Sequence, residues 1–270
     1  MLYEQIQESL QFIRRITDAQ PHVGIILGTG LGDFTDIIQH KIEINYADIP
    51  HFPVSTVESH QGKLIFGQVD GKSVVVMSGR FHWYEGYSMR QVTFPVRVLK
   101  ALGIETIVIT NVSGSTNATI LAGDLVFVRD HLNMMPDNPL RGVNDERLGV
   151  RFPDMAHTYD KTLIQNGLAF CQKNQIRACT GVYVGFPGPN LETPAEYRFL
   201  NGIGGDLVGM STVPEVLVAK HSNLKIVVLS IVSNQCFPPD IIQETTLESV
   251  IALAKATAPK LQAVIRHLLV

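Results

Sequence analysis

Arg80 and His82 stand two residues apart in the run Ser78-Gly79-Arg80-Phe81-His82-Trp83-Tyr84-Glu85-Gly86-Tyr87, directly after the apolar stretch from Ser73 to Met77. In an extended chain, residues two apart point to the same side. A guanidinium fork and an imidazole held together in that way make a receptor for an oxyanion. Tyr84 continues the alternation, and Trp83, the only tryptophan, points the other way. A surface arginine beside a hydrogen-bonded histidine would give the same pattern. The rest of the chain decides between the two by supplying, or failing to supply, the other walls of an anion site.

Several candidate walls are visible. Gly28-Thr29-Gly30-Leu31-Gly32-Asp33 follows the apolar run Val23 to Leu27, and a glycine-rich turn after a strand lets backbone N–H groups and a hydroxyl approach an anion. It is not a Walker loop, because no G-K-[ST] follows. Nor is it a dinucleotide fingerprint, because Asp33 occupies the place of the third glycine. A single phosphate near Thr29 and a plain structural turn both remain open. Ser211 falls at or near the start of a helix, where it either helps bind phosphate or simply caps. Glu192 lies in the turn before a helix beginning at Pro194, where Thr193 is the expected cap. There it either complements the helix dipole or accepts a hydrogen bond from a ligand. The runs Asn111 to Asn117 and Ser233-Asn234 end two further apolar stretches with small polar residues. His60, in an irregular loop just before a strand, is either a residue supporting the site or a solvated loop histidine.

No Ser–His–Asp set, paired carboxylates or G-x-S-x-G elbow is present, so the pattern favours neither a nucleophile-elbow hydrolase nor acid–base hydrolysis by two carboxyls. Arg, His, Thr, Ser, Tyr, Asn and Glu gathered at strand ends suit an anion together with a polar planar ligand. Catalysis by such a set comes from positioning and electrostatics.

The elements that must position these residues are legible from periodicity. An amphipathic helix over the first sixteen residues is followed by alternating or apolar strands at 23–27, 41–49, 63–78 (with Asp70-Gly71 as a hairpin turn), 104–110, 124–128, 178–186, 206–210 and 224–232. Helical patterns run from Ser88 to Leu102, Tyr159 to Lys173, Pro194 to Leu200, after Ser211, and from Leu247 to Val270. Strands alternating with helices predict an α/β fold, in which strand ends gather at one crevice. The segment from Asp130 to Thr158 has little periodicity, and a loop of that length usually serves as a lid or a subunit contact. With 45% apolar and 17% charged residues the chain suits one compact domain over residues 1–270. A net charge of −3, with no three consecutive Lys/Arg, argues against nucleic acid. No apolar run approaches the ~20 residues of a membrane span. Three cysteines without C-x-x-C fit a reducing cytoplasm, and the nine histidines show no metal-ligand spacing, so no metal is expected.

Taken together and in order, these residues resemble the purine nucleoside phosphorylases of the trimeric inosine/guanosine type. The resemblance spans nearly the whole chain. It is carried by Gly28-Thr29-Gly30-Leu31-Gly32, Gly79 to Gly86, Thr93-Phe94-Pro95-Val96-Arg97, Asn138 to Arg147, Gly188 to Thr193 and Val208 to Glu215.

The resemblance implies a mixed central sheet, partly barrel-like and flanked by helices. It also implies phosphorolysis of 6-oxopurine nucleosides to the free base and α-ribose 1-phosphate, with inorganic phosphate as co-substrate and no cofactor. By the same resemblance Thr29, Arg80, His82, Ser211 and the Val112 backbone N–H would hold phosphate, with His60 nearby. Tyr84 and the Met210 backbone would meet the ribose. Glu192 would accept from purine N1–H, Asn234 would bond to N7 and O6, and Val208 would line the base pocket. His82, Glu192 and Asn234 would carry the catalysis. Phe152, in the long loop, would be lent to a neighbouring subunit of a homotrimer.

Three positions depart from the family. Thr29 replaces a serine but keeps the hydroxyl. Leu191 stands where an aromatic commonly faces the purine. Leu247 stands where a histidine usually reaches the 5′-hydroxyl, and an apolar residue there resembles the related methylthioadenosine phosphorylases. Those relatives carry aspartate in place of Asn234, so Asn234 favours 6-oxopurines while Leu247 makes 5′-methylthio-nucleosides the alternative substrate. A non-catalytic purine or phosphate sensor is the remaining class, and intact Arg80, His82, Glu192 and Asn234 argue against it.

Overall fold

The computed structural model describes residues 1–54, 56 and 61–269. Helix α1 (Leu2–Ile16) turns Ile6, Ser9 and Ile13 inward and is followed by strand β1 (Val23–Ile26). Strands β2 (Gln39–Asn45), β3 (Lys63–Val69) and β4 (Lys72–Ser78) form an antiparallel meander. Its β3–β4 turn is Asp70-Gly71, both at positive φ, as the D-G dipeptide predicts. Helix α2 (Met89–Ala101) starts on a reciprocal cap between Ser88 and Gln91. Then come β5 (Thr106–Ser115), β6 (Leu125–Asn133), α3 (Lys161–Lys173), β7 (Ala178–Gly185), α4 (Pro194–Gly202), β8 (Leu207–Gly209), α5 (Val213–His221), β9 (Lys225–Gln235) and α6 (Leu247–Leu268). No described helix is long and apolar enough to cross a membrane. Residues 134–160 carry neither helix nor strand.

The nine strands of the described residues join one sheet in the order β2-β3-β4-β1-β5-β8-β7-β6-β9, and β9 also pairs with β5. The last five strands therefore close a ring, while β1 to β4 extend it as an open wing. Within the ring β5 runs parallel to β9, and β6 parallel to β7, which is parallel to β8; the β5–β8 and β6–β9 pairs are antiparallel. The sheet is thus mixed and partly barrel-like, as expected.

Strands β1, β5 and β9 are fully buried from Ile25-Ile26 through Ile107-Val108-Ile109 to Ile226–Leu229, which explains their continuous apolar runs. Both β5 and β9 extend further than apolarity indicates. Asn111 to Ser115 and Ser233 to Gln235 remain paired as strand, because each strand satisfies the other's backbone across the ring. Strand β6 likewise runs to Asn133, five residues past its expected end, by pairing with β7. Polar side chains on the β5 and β9 extensions are held by sheet hydrogen bonds rather than by loops, and they gather at one cavity.

Candidate active site

A cavity of about 170 Å³ opens where β1, β4, β5, β8 and β9 end. It brings together Thr29, Arg80, His82, Tyr84, Val112, Leu191, Glu192, Val208, Met210, Ser211, Asn234 and Leu247. Every site residue expected from the sequence lines it except Phe152 and His60. His60 lies outside the described residues. Phe152 is 85% exposed on the outer surface of the long loop.

One wall is built around Arg80, the largest of the fully buried side chains, at 1% exposure. Strand β4 ends at Ser78, and Gly79 at φ +107 turns the chain inward, a conformation that strains any residue with a Cβ. The Tyr46 hydroxyl donates to the Gly79 carbonyl at 2.9 Å and holds that turn. Arg80 Nη1 donates to Ser211 Oγ at 2.9 Å and to Thr212 Oγ1 at 3.2 Å, and Nη2 donates to the Thr110 carbonyl. Glu215, in the first turn of α5, supplies the counter-charge, with Oε2 at 3.3 Å from Nη1 and its own side chain 3% exposed. Thr212 takes φ +72 and ψ −58, with the Val213 N–H bonded to the Ser211 carbonyl at 2.8 Å. This γ-turn is strained for a β-branched residue. It is held by Asn111 Nδ2, which donates to Thr212 Oγ1 at 2.9 Å, while Asn111 Oδ1 accepts from Ser230. Backbone strain at this point sets the Ser211 hydroxyl beside the guanidinium. Ser211 is therefore not the cap of α5; Thr212 is, and it makes no side-chain cap bond.

His82 and Tyr84 reach the same cavity by a route other than strand alternation. The chain enters a 3-10 turn at Trp83–Glu85, so Tyr84 does not continue an extended pattern. It folds back and stacks on His82, with ring centroids 4.7 Å apart and planes 14° from parallel. Glu85 receives His82 Nδ1 at 3.0 Å and the His82 backbone N–H at 2.7 Å, and its other oxygen receives the Thr56 backbone and hydroxyl. Burial alone would raise the Glu85 carboxyl, but these four donors outweigh it and bring it down to about 2. An ionised carboxylate can only accept, so Nδ1 carries the proton. Burial lowers the His82 pKa, opposed by Glu85 and reinforced by Arg80, which keeps the ring neutral with Nε2 as the acceptor.

The opposite wall is less charged. Glu192 is 8% exposed, and desolvation raises its carboxyl above the ordinary range. Its Oε1 is buried without a hydrogen-bond partner among the described residues. The alternative of a simple dipole-complementing carboxylate does not hold. Thr193 and Glu196 form the cap of α4 between them, and Glu192 is turned into the cavity. The Ser233 hydroxyl donates to Asn234 Oδ1 at 2.6 Å. Val208 is buried, whereas Leu191 and Leu247 are about half exposed at the mouth, beside Thr245 and Val250.

Sequence reasoning missed Glu215, Glu85, Thr212 and Tyr197. Glu215 had a readable signal, because one carboxylate in the first turn of the otherwise apolar helix Val213 to Ala219 must find a buried cation. Glu85 had the i+3 spacing from His82. Thr212 carried no signal, since its role depends on backbone geometry. Tyr197 is a helix residue whose ring packs with Val208 and Cys236 and looks like core.

Comparison with known proteins agrees with this geometry. Residues 22–270 match the family described as "Phosphorylase superfamily". Purine nucleoside phosphorylase 1 of Geobacillus stearothermophilus is 51% identical over 229 residues, covering 85% of this chain and 84% of that protein. Isoform 2 of purine nucleoside phosphorylase from Schistosoma mansoni, solved with cytosine and ribose-1-phosphate, superposes with a TM-score of 0.93 at 37% identity, over 99% of this chain and 96% of that one. A schistosome purine nucleoside phosphorylase solved with hypoxanthine gives 0.92 at 36% identity, over 98% and 96%. This chain belongs to the purine nucleoside phosphorylases, within the phosphorylase superfamily.

Proposed function

We propose that this chain cleaves 6-oxopurine ribo- and deoxyribonucleosides by phosphorolysis, giving the free base and α-(deoxy)ribose 1-phosphate. One observation carries the reading: a single cavity has a buried cation with hydroxyl donors on one wall, and a buried carboxyl with an amide on the other. Phosphate is assigned to Arg80, Ser211, Thr29 and the Val112 N–H. His82 Nε2 accepts from the P–OH of a monoprotonated phosphate, so that the nucleophile presents its charged oxygens toward C1′. Breaking the C1′–N9 bond builds positive charge on the sugar above the phosphate and negative charge on the purine. Tyr84 and the Met210 backbone hold the ribose between them. Glu192 accepts from purine N1–H, and Asn234 donates to O6 and accepts from N7–H as that nitrogen takes up a proton from solvent; the P–OH proton is released to solvent once the C1′–O bond has formed. An adenine ring carries no hydrogen at N1, so its lone pair would face the carboxylate. The acceptor at Glu192 therefore favours 6-oxopurines. One well-placed donor or acceptor at a developing charge contributes about 3–4 kcal/mol.

The chain acts as one domain in a reducing, cytosolic setting, and as a homotrimer. The support for the last point is Phe152, an aromatic ring on the outer face of the long loop that does not line the cavity of its own chain. It is assigned to the mouth of a neighbouring site.

Incubation with inosine tests the reading. Hypoxanthine is released when phosphate or arsenate is present and not in their absence. Equal release without either would make the protein a nucleoside hydrolase, and calorimetric binding without turnover would make it a sensor.

The 5′ end of the site supports a second substrate, a 5′-methylthio-nucleoside. Leu247 and Val250 line the cavity there, and from that segment only Thr245, among the described residues, brings a hydroxyl to the lining. The variant Leu247→His is expected to shift kcat/KM from 5′-methylthioinosine toward inosine by about tenfold, the worth of one hydrogen bond. An unchanged ratio would remove Leu247 from 5′ recognition.

A further inference from the structure

Glu192 and Asn234 approach the proposed purine from different elements, the entry to α4 and the end of β9. Behind the wall between them lies a small cluster of Val184, Tyr197, Leu200, Val208 and Cys236. One of its members is more than packing. Cys236 is completely buried, and its backbone N–H is tied to the Ser115 carbonyl at 2.7 Å. Its Sγ accepts from Asn234 Nδ2 at 3.1 Å. Ser233 Oγ lies 2.6 Å from Oδ1 and 3.1 Å from the Ser113 carbonyl, so its single hydrogen faces two acceptors, and the Asn234 amide is contacted at both ends. Gly114 on β5 makes room for this arrangement, because a Cβ there would stand 2.8 Å from Cys236 Sγ. Tyr197, in the first turn of α4, is 4% exposed. It packs in the same cluster as Cys236 and lines the cavity together with Glu192.

We infer that Cys236 is a positioning residue for base recognition: its sulfur, against Asn234 Nδ2, biases which end of the Asn234 amide faces the purine. The inference rests on the assignment of Asn234 to the base. An amide reads a 6-oxo and a 6-amino group equally well once it can exchange its ends by rotating about χ2. Binding one Nδ2 hydrogen to sulfur leaves the other for O6, and Ser233 leaves one Oδ1 lone pair for N7–H. Neither Cys236 nor Ser233 touches the purine. A thiol is a weak donor, so the flipped amide, which would accept from a 6-amino group, would set Oδ1 against the poorer donor of the two, and the pair disfavours that state.

The test is the ratio of kcat/KM for inosine to that for adenosine, measured with saturating phosphate. Cys236→Ala and the volume-keeping Cys236→Val are both expected to lower this ratio by about fivefold or more. The loss should fall mainly in kcat for inosine, leaving KM for phosphate unchanged. Cys236→Ser, whose hydroxyl donates as readily as it accepts, is expected to lower the ratio as well, because it can pair with either end of the amide. In an Asn234→Ala background the Cys236→Ala change is expected to have no further effect on it. If Cys236→Val and Cys236→Ala leave the ratio at its parental value, or lower both substrates equally, the cysteine is packing alone and the inference falls while the assignment of Asn234 stands. If Asn234→Ala itself leaves the ratio unchanged, Asn234 does not read the base and both fall.

Discussion

Arg80→Met lowers kcat/KM for phosphate by about a hundredfold to a thousandfold, the usual scale for removing one charge-stabilising donor. The same change destabilises the fold, because Glu215 is left as a buried carboxylate 3.3 Å from where its partner stood. Breaking a buried pair from one side costs about 3–5 kcal/mol, whereas replacing both members by apolar groups of similar size is often neutral. The two effects therefore come apart in the double variant Arg80→Met/Glu215→Met. Thermal unfolding should return most of the way to the parental midpoint, and phosphorolysis should remain lost. Activity in the refolded double variant would mean that Arg80 is a structural half of an ion pair and that phosphate is held elsewhere.

The second large effect has the opposite sign for stability. Glu192→Gln is expected to reduce kcat for inosine by about a hundredfold or more, since an amide cannot supply the anionic acceptor at N1. Without ligand the variant should nevertheless unfold at a higher temperature than the parent. Burial raises the Glu192 carboxyl above its ordinary range, so the folded chain holds that proton more tightly than the unfolded chain does. Stability contributed by such a group is present at acid pH and is lost as pH rises through the folded value. The gap between variant and parent is accordingly absent below the ordinary carboxylate range and opens toward neutrality. Midpoints measured across that window check it: parallel curves for the two proteins would show that Glu192 is not held in a desolvated state.

Much of this site is legible in the amino-acid sequence, and the reasons differ by residue. Arg80, His82, Ser211 and Asn234 follow apolar runs that can only be buried strands, so their placement at one crevice follows from α/β geometry. For Tyr84 the sequence points to the right cavity through an alternation that the chain does not adopt. Gly79 breaks the strand, and a 3-10 turn delivers the ring instead. Glu215 is harder to read, because helix position alone does not reveal a partner that lies on a distant strand end, far earlier in the chain. The closed ring is not readable from local pattern either. The β5–β9 and β6–β9 pairings link segments separated by about a hundred residues, and nothing within either segment names its neighbour. The residues after Asn234 read as a plain departure from the family. In the structure that departure supplies Cys236 against the Asn234 amide and Leu247 at the cavity mouth.

The ring has a consequence for how such a protein can change. Strands β5, β8 and β9 are paired on both sides, and they carry Val112, Val208 and Asn234, with Met210 and Ser211 directly after β8. An alteration in any of them strains its neighbours on both sides. Residues 236–246 leave the ring and return to it only through α6, and their far end brings Thr245 and Leu247 to the cavity mouth. The molecule is in effect a fixed reaction vessel with an exchangeable collar. New tolerance at the cavity mouth can be acquired by rewriting that single connection, while the ring that carries the rest of the lining stays as it is.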